Sequence, residues 1–95
     1  MTEAELKAIV VKKAHDAGWR VYSAPMVKAL RPVKGASGYP DLTMARMGRV
    51  VWIELKQQDG VLSHEQMQWL RDIGAACNVI RPEDVADGNL DRLLA

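Results

Sequence analysis

The chain holds a single cysteine, Cys77, among 95 residues. No disulfide can close within it, and a multi-cysteine zinc site is excluded. No apolar run approaches the ~20 residues that a membrane-spanning helix needs. The opening MTEAELKAIVVKK lacks the basic-then-apolar order of a secretion signal. There is no internal repeat, no low-complexity segment and no linker-like stretch. These absences point to one intracellular, cytoplasmic domain spanning residues 1–95. Its 48% apolar and 26% charged residues are ordinary for a globular protein.

Nor is there a large excess of either charge: the formal net charge is +1. The distribution is uneven, however. Residues 1–34 carry seven Lys or Arg against three Asp or Glu, and residues 59–95 carry three against seven. A basic front third suits a polyanion, although a solvated helix face and loop would look the same by charge alone.

Residues 3–17 predict a helix. Leu6, Ile9, Val10, Ala14 and Ala17 fall on one stripe, Thr2 and Glu5 form a capping box, and Gly18 ends it. WRVYSA (19–24) has strand composition. Residues 25–40 form a long irregular loop with Pro25 and Pro32, and long loops in small domains tend to carry function. Two strands, 41–47 and 49–57, are joined around Met47-Gly48 as a hairpin. A second helix over 64–75 starts at Ser63, with Leu62 and Met67 placed to staple its entry. A short strand CNVI (77–80) precedes a helical stretch opened by Pro82 and broken near Gly88-Asn89. The order α-β-β-β-α-β-α defines an α/β fold with a mixed sheet flanked by helices.

Chemistry concentrates in VVWIELKQ (50–57). A core strand carries Glu54 and Lys56 two residues apart, hence on one face. A two-residue hairpin turn would set Arg46 opposite Arg49 and Asp41 opposite Glu54, with directly opposed side chains roughly 5 Å apart. Two carboxylates that close repel unless a cation intervenes. Hard oxygen ligands suit Mg²⁺, and such an ion can activate water beside a phosphate, with Lys56 orienting that water or steadying the developing charge. The plain structural alternative is a cross-strand salt bridge Asp41–Lys56–Glu54. Pro40 marks the strand start just before Asp41.

Glu3, near the edge of the buried stripe of the first helix, is a candidate third carboxylate; Glu5 is already used in the capping box. Gln66 completes the Ser63 capping box, yet lies within the stripe of Leu70, Ile73 and Cys77, where a glutamine needs partners. Lys28, Arg31 and Lys34 in the long loop are candidate phosphate contacts. Trp19, Trp52 and Trp69 read mainly as core, Trp52 sharing the Glu54 face. Cys77 reads as a small core residue, and His15 and His64 lack ligand spacing.

Together GYPDL (38–42), IELK (53–56) and LSHEQMQWL (62–70) resemble the VRR-NUC family, a branch of the PD-(D/E)XK nuclease superfamily related to Holliday-junction resolvases. The resemblance runs nearly end to end, to RPEDV (81–85), and suggests a minimal stand-alone member of the kind carried by phages and prophages. It implies a restriction-endonuclease-like core. It also implies that Asp41, Glu54 and the carbonyl of Leu55 bind Mg²⁺ or Mn²⁺, that Lys56 is the catalytic lysine, and that Gln66 and Glu3 match the family's helical glutamine and N-terminal acid. Gly38 and Pro40 match the turn that positions the aspartate. A homodimer acting on branched DNA is expected. A non-specific or nicking nuclease, a non-catalytic DNA-binding module of the same fold, and an accessory protein docking through its acidic half are the alternatives.

Overall fold

The computed structural model describes residues 1–24 and 35–95. Lys28, Arg31 and Lys34 lie outside the described residues. The elements follow the order α1 (Glu3–Asp16), β1 (Arg20–Ser23), β2 (Leu42–Arg46), β3 (Arg49–Leu55), α2 (His64–Ile73), β4 (Cys77–Ile80), α3 (Pro82–Ala86) and α4 (Asn89–Leu94), with a 3-10 turn at Gly74–Ala76. The final helical stretch divides at Gly88, whose φ of 85° begins α4 anew.

The four strands form one mixed sheet in the order β1-β2-β3-β4. The first three run antiparallel and β4 joins β3 in parallel. A parallel neighbour needs a crossover, and α2 supplies it.

The β2–β3 register is the one a two-residue turn dictates: Arg46 faces Arg49 and Leu42 faces Ile53. Met47 and Gly48 both take positive φ, 48° and 82°. That is the pattern of a type I′ turn, whose twist matches the flanking strands. Glycine adopts it freely. Methionine does so at a cost, and Met47 packs against nothing that would offset it, being 98% exposed.

Because residues alternate along each strand, the sheet has two different faces. Leu42, Met44, Val51, Ile53, Leu55 and Ile80 form one with Leu6, Val10 and Ala14 of α1 and Leu90 and Leu94 of α4; these make the core. Trp19 closes its end. Its indole N–H donates to the Leu94 carbonyl at 3.0 Å, and the Arg46 guanidinium lies 4.7 Å from its ring centroid. Arg46 also donates to the Ala17 and Leu94 carbonyls, joining the end of α1 and the last helix to the hairpin.

The opposite face carries Thr43, Ala45, Val50, Trp52 and Glu54, and it is covered far less. Helix α2 has no buried residue, and Met67 is 49% exposed. Of the three tryptophans expected in the core, only Trp19 is there; Trp52 and Trp69 are half-buried. A strongly amphipathic helix and a β-branched strand are compatible with an open face as well as a closed one, so sequence pattern alone did not separate the two.

Replacing Met47 with Asn, which tolerates the left-handed region, is expected to stabilise the fold by about 0.5–1 kcal/mol in chemical denaturation without changing the sheet.

Candidate active site

The site forms where the β2–β3 ladder ends. Continuing the register two places past Leu42↔Ile53 brings Pro40 opposite Leu55, at a position where antiparallel partners exchange both backbone hydrogen bonds. Proline has no N–H to give, so Leu55's carbonyl receives nothing from it. The other half of the exchange is replaced too: the Leu55 N–H donates to Asp41 Oδ2 at 2.8 Å. The ladder thus stops in a side chain rather than in backbone. Pro40 is fully buried, which anchors the strand start, and the Asp41 carbonyl holds the end of β1 by accepting from the Ala24 N–H at 2.9 Å.

Glu54 is the neighbour of that carboxylate on β3. It is 5% exposed and is the one buried charged residue of the described chain. Gln66 Nε2 donates to Glu54 Oε1 at 2.8 Å. The same Gln66 side chain accepts the Ser63 N–H through Oε1 at 2.8 Å, while its backbone N–H donates to Ser63 Oγ. The capping and site roles of Gln66 are therefore one arrangement. The cap freezes the amide carbonyl, which aims the amide nitrogen at Glu54. Asp41 and Glu54 each have one oxygen tied by a neutral donor, and neither second oxygen takes an N–H among the described residues.

Burial pushes the Glu54 carboxyl up to about 8, the Asp41 charge and hydrogen bond beside it adding to the effect; the Lys56 ammonium pulls the other way, and Glu3 raises it slightly. Lys56 is half-buried, and its backbone N–H donates to the Ile80 carbonyl, so it stands just past the end of β3 and still follows β4. Among the described residues the ion pairs are Lys12–Asp16, Lys13–Asp91 and Arg71–Asp72. The cross-strand salt bridge Asp41–Lys56–Glu54 is not formed. Lys56 is held near the acids without neutralising either.

Glu3 is exposed at the start of α1 and reaches the pair only as a weak like charge. Among the described residues no three His, Cys, Asp or Glu side chains gather as a metal-binding group. The donor set is two carboxylates and a strand-end carbonyl, that of Leu55, which in extended backbone opens to the same side as its N–H, toward Asp41. These hard oxygens, two of them mutually repelling, fit a divalent cation such as Mg²⁺ or Mn²⁺. Cys77, across from Trp52 in the parallel pair, is a core residue as expected; burial and the Glu54 charge push its thiol up to about 11, so it stays protonated and inert.

An aromatic bracket stands beside the site; the sequence placed Trp52 on the Glu54 face, where it could wall the site, but Tyr39 and Trp69 escaped that reading. Trp52 Nε1 donates to the Tyr39 hydroxyl at 2.9 Å, and that hydroxyl shares a 3.1 Å hydrogen bond with Thr43 Oγ1. Tyr39 meets Trp69 edge to face, with centroids 5.0 Å apart, and Trp69 Nε1 donates to the Ser37 carbonyl at 3.1 Å. The position of Tyr39 between Gly38 and Pro40 was the available signal. Gly38 lets the bracket close. Its φ is 84°, and a Cβ there would lie 2.6–2.8 Å from Glu65 and from the Gln66 backbone N–H. The turn before Asp41 therefore packs directly on the start of α2, locking the aspartate and Gln66 together.

Comparison with protein-family models, with curated proteins and with solved structures finds no match to this chain. The fold and site define the class that can be stated outright: a small mixed α/β domain with a buried, paired-carboxylate centre at a sheet end. No helix among the described residues is long and apolar enough to cross a membrane.

Two outcomes are expected. Gly38→Ala should cost about 1–3 kcal/mol in stability, because backbone rather than a flexible side chain meets the new methyl. In metal-free protein, Glu54 holds its proton more tightly when folded than when unfolded, so its charge opposes folding. That penalty is absent below about pH 4.5 and grows as pH rises to about 8. At roughly 1.4 kcal/mol for each tenfold change in proton affinity, it reaches a few kcal/mol. Denaturation midpoints measured in EDTA should fall across that window, and Glu54→Gln should flatten the fall.

Proposed function

We propose that this protein is a metal-dependent endonuclease that hydrolyses DNA phosphodiesters, acting on branched DNA as a homodimer. The observation that carries the reading is the pairing of Asp41 and Glu54 at the end of the ladder, with Lys56 adjacent yet in no ion pair with either. A fold built only for stability would neutralise the buried Glu54 with that lysine, since an unpaired buried carboxylate is costly. A buried acid whose proton affinity is strongly raised, set beside a second acid and left without an ion-pair partner, is a mark of chemical function.

The reading also draws on the resemblance of GYPDL, IELK and LSHEQMQWL to the VRR-NUC nucleases. Asp41, Glu54 and the Leu55 carbonyl would hold Mg²⁺ or Mn²⁺. When bound, such an ion supplies Lewis-acid stabilisation of phosphate charge and a more acidic water. The protein's own groups do the rest. Asp41 is oriented by the Leu55 N–H, and Glu54 by the Gln66 amide. Lys56, half-buried beside them, carries the positive charge that a phosphorane-like transition state calls for, and its ammonium can hold a water or a phosphate oxygen. A two-fold dimer would present two such centres to the two strands of a four-way junction.

The test is cleavage of labelled four-way-junction, linear duplex and single-stranded DNA with Mg²⁺, Mn²⁺ or EDTA. Wild-type protein should nick the junction in a metal-dependent way. Glu54→Gln and Lys56→Ala should each lower the rate by about 100-fold or more while keeping the native circular dichroism spectrum. Undiminished cleavage by both variants would remove the assignment.

A further inference from the structure

The sheet face opposite the core is only partly covered by the described residues. By register, Arg20 and Tyr22 of β1, Thr43 and Ala45 of β2, and Val50, Trp52 and Glu54 of β3 share it. Tyr22 is 58% exposed, Val50 43% and Tyr39 37%, while Trp52 and Trp69 are half-buried. Every polar atom of the Trp52–Tyr39–Trp69 bracket already has an intramolecular partner: the two indole N–H groups donate to Tyr39 and to Ser37, and the phenol is shared with Trp52 and Thr43. What the bracket can still offer a ligand is ring surface. The rings are also preorganised, so little rotamer entropy remains to be lost on contact.

Position identifies the occupant. Trp52 lies two residues from Glu54, about 7 Å along the strand, within the reach of one nucleotide from a phosphate that a divalent cation on the carboxylates would hold. Cations stand at both ends of this face, Arg20 on β1 and Lys56 past the end of β3. A face with apolar rings between cations complements a polyanion whose bases are free to stack, and complements a fully paired duplex less well, since there the π-faces are already used.

We propose that Trp52, braced by Tyr39 and Trp69, is a stacking platform for an unpaired nucleobase next to the phosphate that a divalent cation at the Asp41–Glu54 site would hold. The inference rests on the nuclease reading and deepens it. It makes unpaired nucleotides beside the cut, rather than duplex geometry alone, the feature by which branched DNA is chosen. With no free hydrogen-bonding atom on the bracket, recognition tolerates any base.

The experiment is a titration of the full chain, with Ca²⁺ in place of Mg²⁺ and the strands checked on a gel to be uncut, with short oligothymidylate, short oligoadenylate and a blunt duplex, following tryptophan emission. Both single strands should quench the emission saturably, with affinities within a few-fold of each other and tighter than that of the duplex. Trp52→Ala should weaken single-strand binding at least about fivefold, and Trp52→Phe, which keeps a ring, should recover most of it. Circular dichroism of both variants controls for folding, and Trp69→Phe assigns the quenched ring. Three results would overturn the platform: no quenching, equal affinity of wild type and Trp52→Ala for single strands, or loss of self-association in Trp52→Ala, by sedimentation, as its only effect. The readout is independent of cleavage. Quenching without any metal-dependent cutting would remove the nuclease and keep the platform; cutting without quenching would do the reverse.

Discussion

Everything at the functional end of this molecule depends on holding two carboxylates side by side against their mutual repulsion. Asp41 and Glu54 are neighbours across the last step of a β-ladder, and Glu54 is buried. In the metal-free protein the repulsion is relieved by a proton, Glu54 being pushed up to about 8 with a hydrogen bond to Asp41, while the Leu55 N–H and the Gln66 amide orient the two acids. Neutral donors orient a charge without cancelling it.

The surrounding architecture serves that constraint. Pro40 withholds a backbone donor, so the ladder ends in the Asp41 side chain. Gly38 brings the preceding turn against the start of α2, which is where Gln66 is frozen by its own cap. A second clamp lies on the far side. The Arg81 guanidinium donates to the carbonyls of Gln57 and Gly60 at 2.7 Å, fixing the turn after Lys56 to the start of α3. Thus β2, β3, α2 and α3 each contribute one restraint, and none of the site's acids depends on a single element.

Much of this was legible in the residues. The helix over Glu3–Asp16 with its Thr2–Glu5 capping box, the hairpin register through Met47-Gly48, the break at Gly88 and the mixed sheet all follow from local chemistry: cap residues, period-two alternation and turn geometry. The proximity of Asp41 and Glu54 followed from that register alone. Less was legible about the second face. Trp52 and Trp69 look like core residues by type, and whether a face is covered depends on where α2 lands, which no local signal encodes. The same blindness left Tyr39 unremarked, because its role arises from contacts with partners 13 residues away at Trp52 and farther still at Trp69.

By itself, then, the sequence determined the elements, the pairing of the two hairpin strands and the closeness of the two acids, since these depend on residues near each other in the chain or related by one two-residue turn. Only the tertiary structure decided three things. Gln66 is both cap and Glu54 partner; Lys56 stays out of a salt bridge; and the aromatic bracket stands half-open beside the acids. Each depends on where α2 and the turn at Ser37–Pro40 come to rest against the sheet, and that is set by packing at a distance, such as the close approach of Gly38 to Glu65 and Gln66, rather than by any propensity carried within the segments themselves.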